Sequence, residues 1–306
     1  MYQPASLASL LEHFQQQTPL RASSLIISVW GDALEPRSSS VWLGSLIKLF
    51  EPFGINERLV RTSIFRLAKD GWLTSEKVGR RSYYQLSDSG HQRFEDAFRR
   101  VYGSAQTSWD GRWLLVNLHL LSTDERKLIV ERLQLLGFGP FGSSLYASPS
   151  IESASVEALV RKMGLDNRVV LSVTESRGTK ADPAMQALVH QGWNLEELEQ
   201  GYQSFVQVFH KLWQEIKSRE NLEPQSAFMA RTLMIHEYRK LALRDPSLPD
   251  AMLPKNWSGH SARQLCRNLY HRLTPATERW LGDSLESAMG PMPGPNYSFY
   301  QRFDCI

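Results

Sequence analysis

INERLVRTSIFRLAKDGWLTSEKVGRRSYYQLSDSG, residues Ile55 to Gly90, holds a helix with two unlike faces and, after it, a basic hairpin. The spacing predicts a helix from about Glu57 to Asp70, capped by Asn56, with Ile55 and Val60 placed as a hydrophobic staple across the cap. Asp70-Gly71 stops it, because glycine most easily takes the left-handed conformation that follows a helix. On the helical wheel Leu59, Val60, Ile64, Leu67 and Ala68 share one half of the cylinder, while Arg58, Arg61, Thr62, Phe65, Arg66 and Lys69 share the other. Four cations and a hydroxyl on one face suit a helix lying in the major groove of duplex DNA. Phe65 fits that face poorly, and is expected to pack under the hairpin or on a preceding helix rather than to meet a thymine methyl.

The flanking sequence extends the same reading. Trp72-Leu73-Thr74 and Tyr83-Tyr84-Gln85-Leu86 are short β-type runs separated by the turn-forming, basic stretch Glu76 to Arg81. Such a hairpin is a wing whose tip can touch phosphate. From Asn56 to Gln85 seven cations (Arg58, Arg61, Arg66, Lys69, Lys77, Arg80, Arg81) face three acids (Glu57, Asp70, Glu76), an excess of four against a net +3 for the whole chain. Arg61, Thr62 and Arg66 are expected at base edges, and Arg58, Lys69, Arg80 and Arg81 at phosphates, with Lys77 beside them on the hairpin. Upstream, Ser24 to Trp30 reads as an apolar helix ended by Gly31, and Val41 to Phe50 as a second ended by Pro52 and Gly54. Helix, helix, recognition helix and wing make a winged helix-turn-helix over residues 20–102, left by a helix from Asp88 to Val101.

A chain of 306 residues with 42% hydrophobic content has room for two or three cores. Cys266 and Cys305 offer neither metal-ligand spacing nor a disulfide framework, so a reducing cytoplasm is expected. The first thirty residues lack the apolar core of a signal peptide, and no apolar run is long enough to span a membrane. After a small-residue linker at Tyr102 to Ser108, strand and helix patterns alternate over residues 108–185. Strands are expected at Arg112 to Leu121, within Gly137 to Gly142, at Ser144 to Ser148 and at Arg168 to Val173. Helices are expected from a Ser122/Glu125 capping box to Leu136, and at Val156 to Met163. That order predicts a small ferredoxin-like α+β sandwich. Residues 193–290 read as all helical: Asn194 with Glu197 caps a long helix, followed by Gln225 to Leu243, Ser261 to Leu273 and Pro275 to Met289. On the long helix Leu198, Tyr202, Phe205, Phe209, Leu212 and Ile216 form a stripe that serves either its own core or a dimer seam. Beyond Gly290 the prolines 291, 293 and 295 exclude helix and predict a tail over the surface.

Motifs of catalysis are incomplete. Gly137 to Gly142 spells G-x-G-x-x-G, but a helix precedes it, a strand follows, and Pro140 removes a donor, so it reads as a helix stop and turn. His236-Glu237 starts like a zincin motif, yet Lys240 stands where a second ligand belongs. No metal, cofactor or nucleophile pattern is complete, and an enzyme is not expected. Phe228, Thr232, Ile235 and Arg239 share a stripe with His236 beside it; Thr232, His236 and Arg239 are therefore candidates to hold an amphipathic ligand with an anionic group. The bland alternative is an arginine snorkelling from a core edge.

Ser24 to Asp32 (SLIISVWGD), Arg58 to Leu73 (RLVRTSIFRLAKDGWL), Gly79 to Gly90 (GRRSYYQLSDSG) and His236 to Trp257 (HEYRKLALRDPSLPDAMLPKNW) carry a resemblance. The chain resembles, over almost its whole length, the PaaX family of phenylacetic acid degradation operon repressors. The resemblance implies a multidomain α+β protein with a GntR-like winged helix, a Cas2-like ferredoxin middle domain and a helical C-terminal domain. It also implies a homodimer on a palindromic operator, with phenylacetyl-CoA as inducer. The rival reading is an acyl-CoA-handling, thioesterase-like enzyme with a DNA-binding appendage, for which the sequence supplies no nucleophile.

Overall fold

The computed structural model describes residues 1–306 except 18–20, 38, 104–108, 151, 176–182 and 304–306. Most of the expected linker, and Cys305, fall outside the described residues. In chain order the elements begin with α1 (Ala5–Gln15), α2 (Ala22–Val29), β1 (Val41–Trp42), α3 (Leu43–Phe50), α4 (Glu57–Lys69), β2 (Leu73–Val78), β3 (Arg81–Leu86) and α5 (Asp88–Tyr102). Next come β4 (Arg112–Asn117), α6 (Thr123–Leu135), β5 (Gly139–Pro140), β6 (Leu145–Ser148), α7 (Ala154–Lys162), β7 (Val170–Glu175) and α8 (Pro183–Gly192). The chain closes with α9 (Leu195–Ile216), α10 (Pro224–Ala242), α11 (Ser258–Ser284), β8 (Glu286–Ser287), β9 (Gly290–Pro291) and α12 (Tyr297–Tyr300). No helix among the described residues is long and apolar enough to cross a membrane.

Two compact units result. One joins Met1–Ser104, Ser204–Lys240 and His260–Ile306; the other joins Ala105–Gln203 and Leu241–Gly259. The second unit carries an antiparallel sheet in the order β5-β6-β4-β7. Leu114 and Val116 of β4 meet Ile129 and Leu133 of α6 and Val156 and Val160 of α7 in its core. This is the expected mixed α+β layout. The Ser122/Glu125 capping box is present, each residue's side chain accepting the other's backbone N–H. The glycine triplet is a helix stop: Gly137, at φ 87°, ends α6, and Gly139-Pro140 form the edge strand β5.

The first unit departs from expectation in four places. Gly31 does not end its helix, because the chain continues through a wide helical turn at Trp30–Leu34 and a short 3-10 turn at Glu35–Arg37. Glycine is needed there for close approach, since a Cβ would stand 2.6 Å from the Phe94 ring. Val41-Trp42 forms a strand rather than the start of a helix. Pro275 does not divide two helices but lies inside α11, whose flanking Leu273, Thr274, Ala276 and Thr277 are all buried. The C-terminal tail is not a surface strap: Phe299, Arg302 and Phe303 are buried, and Tyr297–Tyr300 makes one helical turn.

The α9 stripe is covered by its own chain, Leu198, Tyr202, Phe205, Phe209, Leu212 and Ile216 all being buried, so it does not serve as a dimer seam. In the first unit, helices from both ends of the sequence share one core. Phe14 of α1 and Phe228 of α10 both pack edge-on against Phe53. Tyr102 of α5 and Tyr270 of α11 close on Phe303.

Candidate nucleic-acid interface

α4 is built as the sequence requires. Asn56 Oδ1 accepts the Leu59 N–H at 2.9 Å, and Val60, Ser63, Ile64 and Leu67 point inward. At its other end Gly71 takes φ 73°, with the Trp72 N–H donating to Leu67 O and the Gly71 N–H to Ala68 O, a Schellman stop. α2 and α3 pack against α4 from behind. That leaves Arg58, Arg61, Thr62, Arg66 and Lys69 exposed along the outer face. Two of them have local commitments: Arg61 pairs with Glu57 at 2.7 Å, and the Thr62 hydroxyl donates to Arg58 O at 2.8 Å. No ion pair engages Arg58, Arg66 or Lys69 among the described residues. Phe65 departs from expectation. It does not pack under the hairpin or on another helix; the residue is 70% exposed, on the same face as the cations.

The hairpin is longer than its apolar residues suggested. β2 and β3 pair from Leu73↔Leu86 to Val78↔Arg81, leaving only Gly79-Arg80 as the turn, with Gly79 at φ 62°. Glu76, Lys77 and Arg81 therefore belong to strands. Neither face of this end is buried, so no hydrophobic alternation marks it. Lys77 and Arg80 are exposed at the tip. Arg81 differs from them: its guanidinium lies 4.2 Å from the centroid of the Trp42 ring and pairs with Glu286 at 2.7 Å. Glu286 belongs to β8, which adds to β1, so the sheet runs β2-β3-β1-β8-β9 and carries C-terminal residues on the hairpin's sheet.

Around Asp32 lies a buried ionic network for which no local pattern of residues is a signal. Asp32, just past α2, faces Arg231 of α10 at 2.9 Å and Arg302 of the tail at 3.2 Å. The Tyr102 and Tyr270 hydroxyls each donate to Asp32 Oδ1 at 2.8 Å. Arg302 also donates to the carbonyls of Asp32 and Gly31, at 2.7 and 2.9 Å. Glu278 completes the set by pairing with Arg231 at 3.1 Å and with Arg37. Burial works against the charge on Arg231 and Arg302, but the surrounding acceptors, Asp32 and the two tyrosines among them, more than offset it and hold both fully protonated.

The candidate ligand residues lie on α10 beside this network. Thr232 and His236 are buried. His236 Nδ1 lies 2.8 Å from the Ser28 hydroxyl, and Arg239 donates to Ser24 Oγ at 3.0 Å, so both fasten α10 to α2. Burial, aided by Lys240, Arg239 and Arg21, lowers the His236 pKa from 6.5 to about 2 and keeps the ring neutral.

Comparison with known proteins gives these features a family. The signature described as PaaX-like protein matches residues 21–90, the PaaX protein central Cas2-like domain matches 106–186, and the PaaX-like protein C-terminal domain matches 193–283. The transcriptional repressor PaaX of Escherichia coli (strain K12) is 38% identical over 300 residues, 98% of this chain and 95% of its own length. Among solved structures, the uncharacterized protein Rv0674 from Mycobacterium tuberculosis is a remote likeness. It has 20% identity over 76% of this chain and 88% of its own, with a TM-score of 0.44. With a transcriptional repressor as its relative from end to end, this chain belongs to the PaaX-like protein family.

Proposed function

We propose that the protein is a DNA-binding repressor of phenylacetate catabolic genes, released from a palindromic operator by phenylacetyl-CoA and acting as a cytoplasmic homodimer. In this reading α2, α3 and α4 with the β2-β3 hairpin form a winged helix-turn-helix. α4 enters the major groove, Arg61, Thr62 and Arg66 approach base edges, and Arg58, Lys69, Lys77, Arg80 and Arg81 hold phosphates. The observation that carries it is the outer face of α4. There Arg58, Arg66 and Lys69 stand exposed without an ion pair among the described residues and Arg61 pairs only with Glu57 on its own helix, while Val60, Ser63, Ile64 and Leu67 on the opposite face are buried. The kinship with a named repressor supports the same reading.

Release requires the inducer to bind the free protein more tightly than the DNA-bound one, since only differential affinity shifts that balance. Thr232, His236 and Arg239 are the residues proposed to respond to it. Because Thr232 and His236 are enclosed, such a response involves loosening the seam between α10 and α2. The test is a gel shift on the upstream region of a phenylacetate operon, with phenylacetyl-CoA or free phenylacetate added. Binding abolished by the thioester alone is the expected result. If a dimer neutralises about eight phosphates, log affinity falls against log salt with a slope of about −7. Failure to bind that region in preference to unrelated duplex would overturn the proposal.

A further inference from the structure

We infer that Phe65 reads sequence: its ring takes the C5-methyl of a thymine on the floor of the major groove. The inference rests on the DNA-binding reading above and assigns a specificity residue within it. Of thirteen phenylalanines in the chain, Phe65 is the one left exposed; the others are buried or half-buried. Leaving such a ring in water forgoes the stabilisation that burial would bring, and α4 has a fully occupied core face on which a ring could have been placed. Phe65 stands instead in the middle of the outer stripe. Arg61 and Thr62 lie one turn before it, Lys69 one turn after, and Arg66 next to it.

The surroundings select the occupant. A second copy of the chain meeting this face across a two-fold axis would set arginine against arginine, so self-association through it is opposed by charge. A lipid surface would welcome the cations, but one ring in a polar stripe is not the apolar face that an interfacial helix needs. A duplex satisfies both requirements at once: phosphates line the rim for Arg58 and Lys69, and the groove floor offers base edges to Arg61 and Arg66 and one apolar group, the thymine methyl, to the ring. Phenylalanine has no hydrogen-bonding atom, so a methyl is what it can distinguish there.

The experiment uses the full chain. Duplexes selected by the wild-type protein from a randomised pool are remade with uracil in place of thymine, one position at a time. Wild type is expected to lose about three- to five-fold in affinity at one thymine of each half-site, the scale of one buried methyl. Phe65→Ala should bind thymine and uracil alike at that position, with an unchanged melting temperature because the ring supports no core. Phe65→Leu should keep part of the preference. The inference is overturned if Phe65→Ala keeps the wild-type thymine-to-uracil ratio at every position, or if no selected site depends on a thymine. A change in sedimentation with that ratio intact would assign the ring to self-association instead. Should wild type enrich no duplex at all, the DNA-binding reading itself fails, an outcome distinct from loss of the methyl effect alone.

Discussion

Replacing Asp32 by asparagine removes one charge and almost no volume, and it should cost far more than any surface change in this protein. The carboxylate stands between Arg231 and Arg302, at 2.9 and 3.2 Å, and accepts hydroxyl hydrogen bonds from Tyr102 and Tyr270 at 2.8 Å. Asparagine keeps one acceptor oxygen but turns an amide donor toward a guanidinium. Arginine cannot escape by losing its proton, so Arg231 and Arg302 remain buried and charged with only Glu278 to compensate. Uncovering a buried charge in this way costs about 3–5 kcal/mol. For a unit of this size that corresponds to a fall in melting temperature of roughly 6–20 °C. Scanning calorimetry of wild type, Asp32→Asn and the exposed control Glu57→Gln would measure it. If Asp32→Asn melts within about 1 °C of the control, Asp32 does not offset the buried charges of Arg231 and Arg302.

Glu286→Gln should free Arg81 for phosphate, raising affinity for any duplex and steepening the salt slope by about one; a titration at several salt concentrations that shows neither change would reject the competition. His236 is neutral in the fold and titrates near 6.5 once unfolded, so its contribution is complete above pH 6.5 and is lost as pH falls below it toward about 2. Denaturant melts of His236→Asn between pH 6.5 and 4.5 should accordingly show a shallower loss of stability than wild type, by up to about 1.4 kcal/mol per pH unit; parallel curves would count against it. Phe303→Ala empties a site enclosed by Tyr102, Tyr238 and Tyr270 and should cost about 3–5 kcal/mol, read from the shift in denaturation midpoint at constant slope; a midpoint equal to wild type would place the tail outside the core.

What could be read from the sequence was local, and what could not was long-range. The limits and faces of α4 were legible because Asn56, Gly71 and the apolar period all act within a few residues of themselves. The Ser122/Glu125 capping box was legible for the same reason. The tail was not: Arg302 finds Asp32 and Gly31 some 270 positions away, and three prolines outweighed the apolar pair Phe299 and Phe303. That pair, one helical turn apart, was the available clue. The strands of the hairpin were read too short because neither face near the tip is buried. Pro275 reads locally as a boundary, but its breaking power yields to a helix buried on both sides of it. The exposure of Arg58, Arg61, Arg66 and Lys69 on one face of α4 was legible from charge and period. The exposure of Phe65 was missed because a phenylalanine on a polar face is ordinarily expected to turn inward.

The C-terminal segment meets the proposed DNA-reading module in two ways, and their magnitudes separate their roles. β8 brings Glu286 to Arg81 at the hairpin, an exposed pair worth about 0.2–1 kcal/mol, or at most roughly a five-fold change in affinity. Arg302 and Phe303 meet Asp32 and Tyr102 in the core, contacts whose loss costs several kcal/mol. A regulator that changes operator affinity a hundred-fold needs about 2.7 kcal/mol of difference between two states. The wing contact is too small to supply that, whereas partial loosening of the buried network is enough. Asp32 lies in the turn that continues α2, and α2 packs on α4, so a shift there reaches α4 through packed elements. If the C-terminal helices govern DNA affinity, the physical route with sufficient free energy runs through Asp32 and the tail, while Glu286 adjusts affinity without switching it.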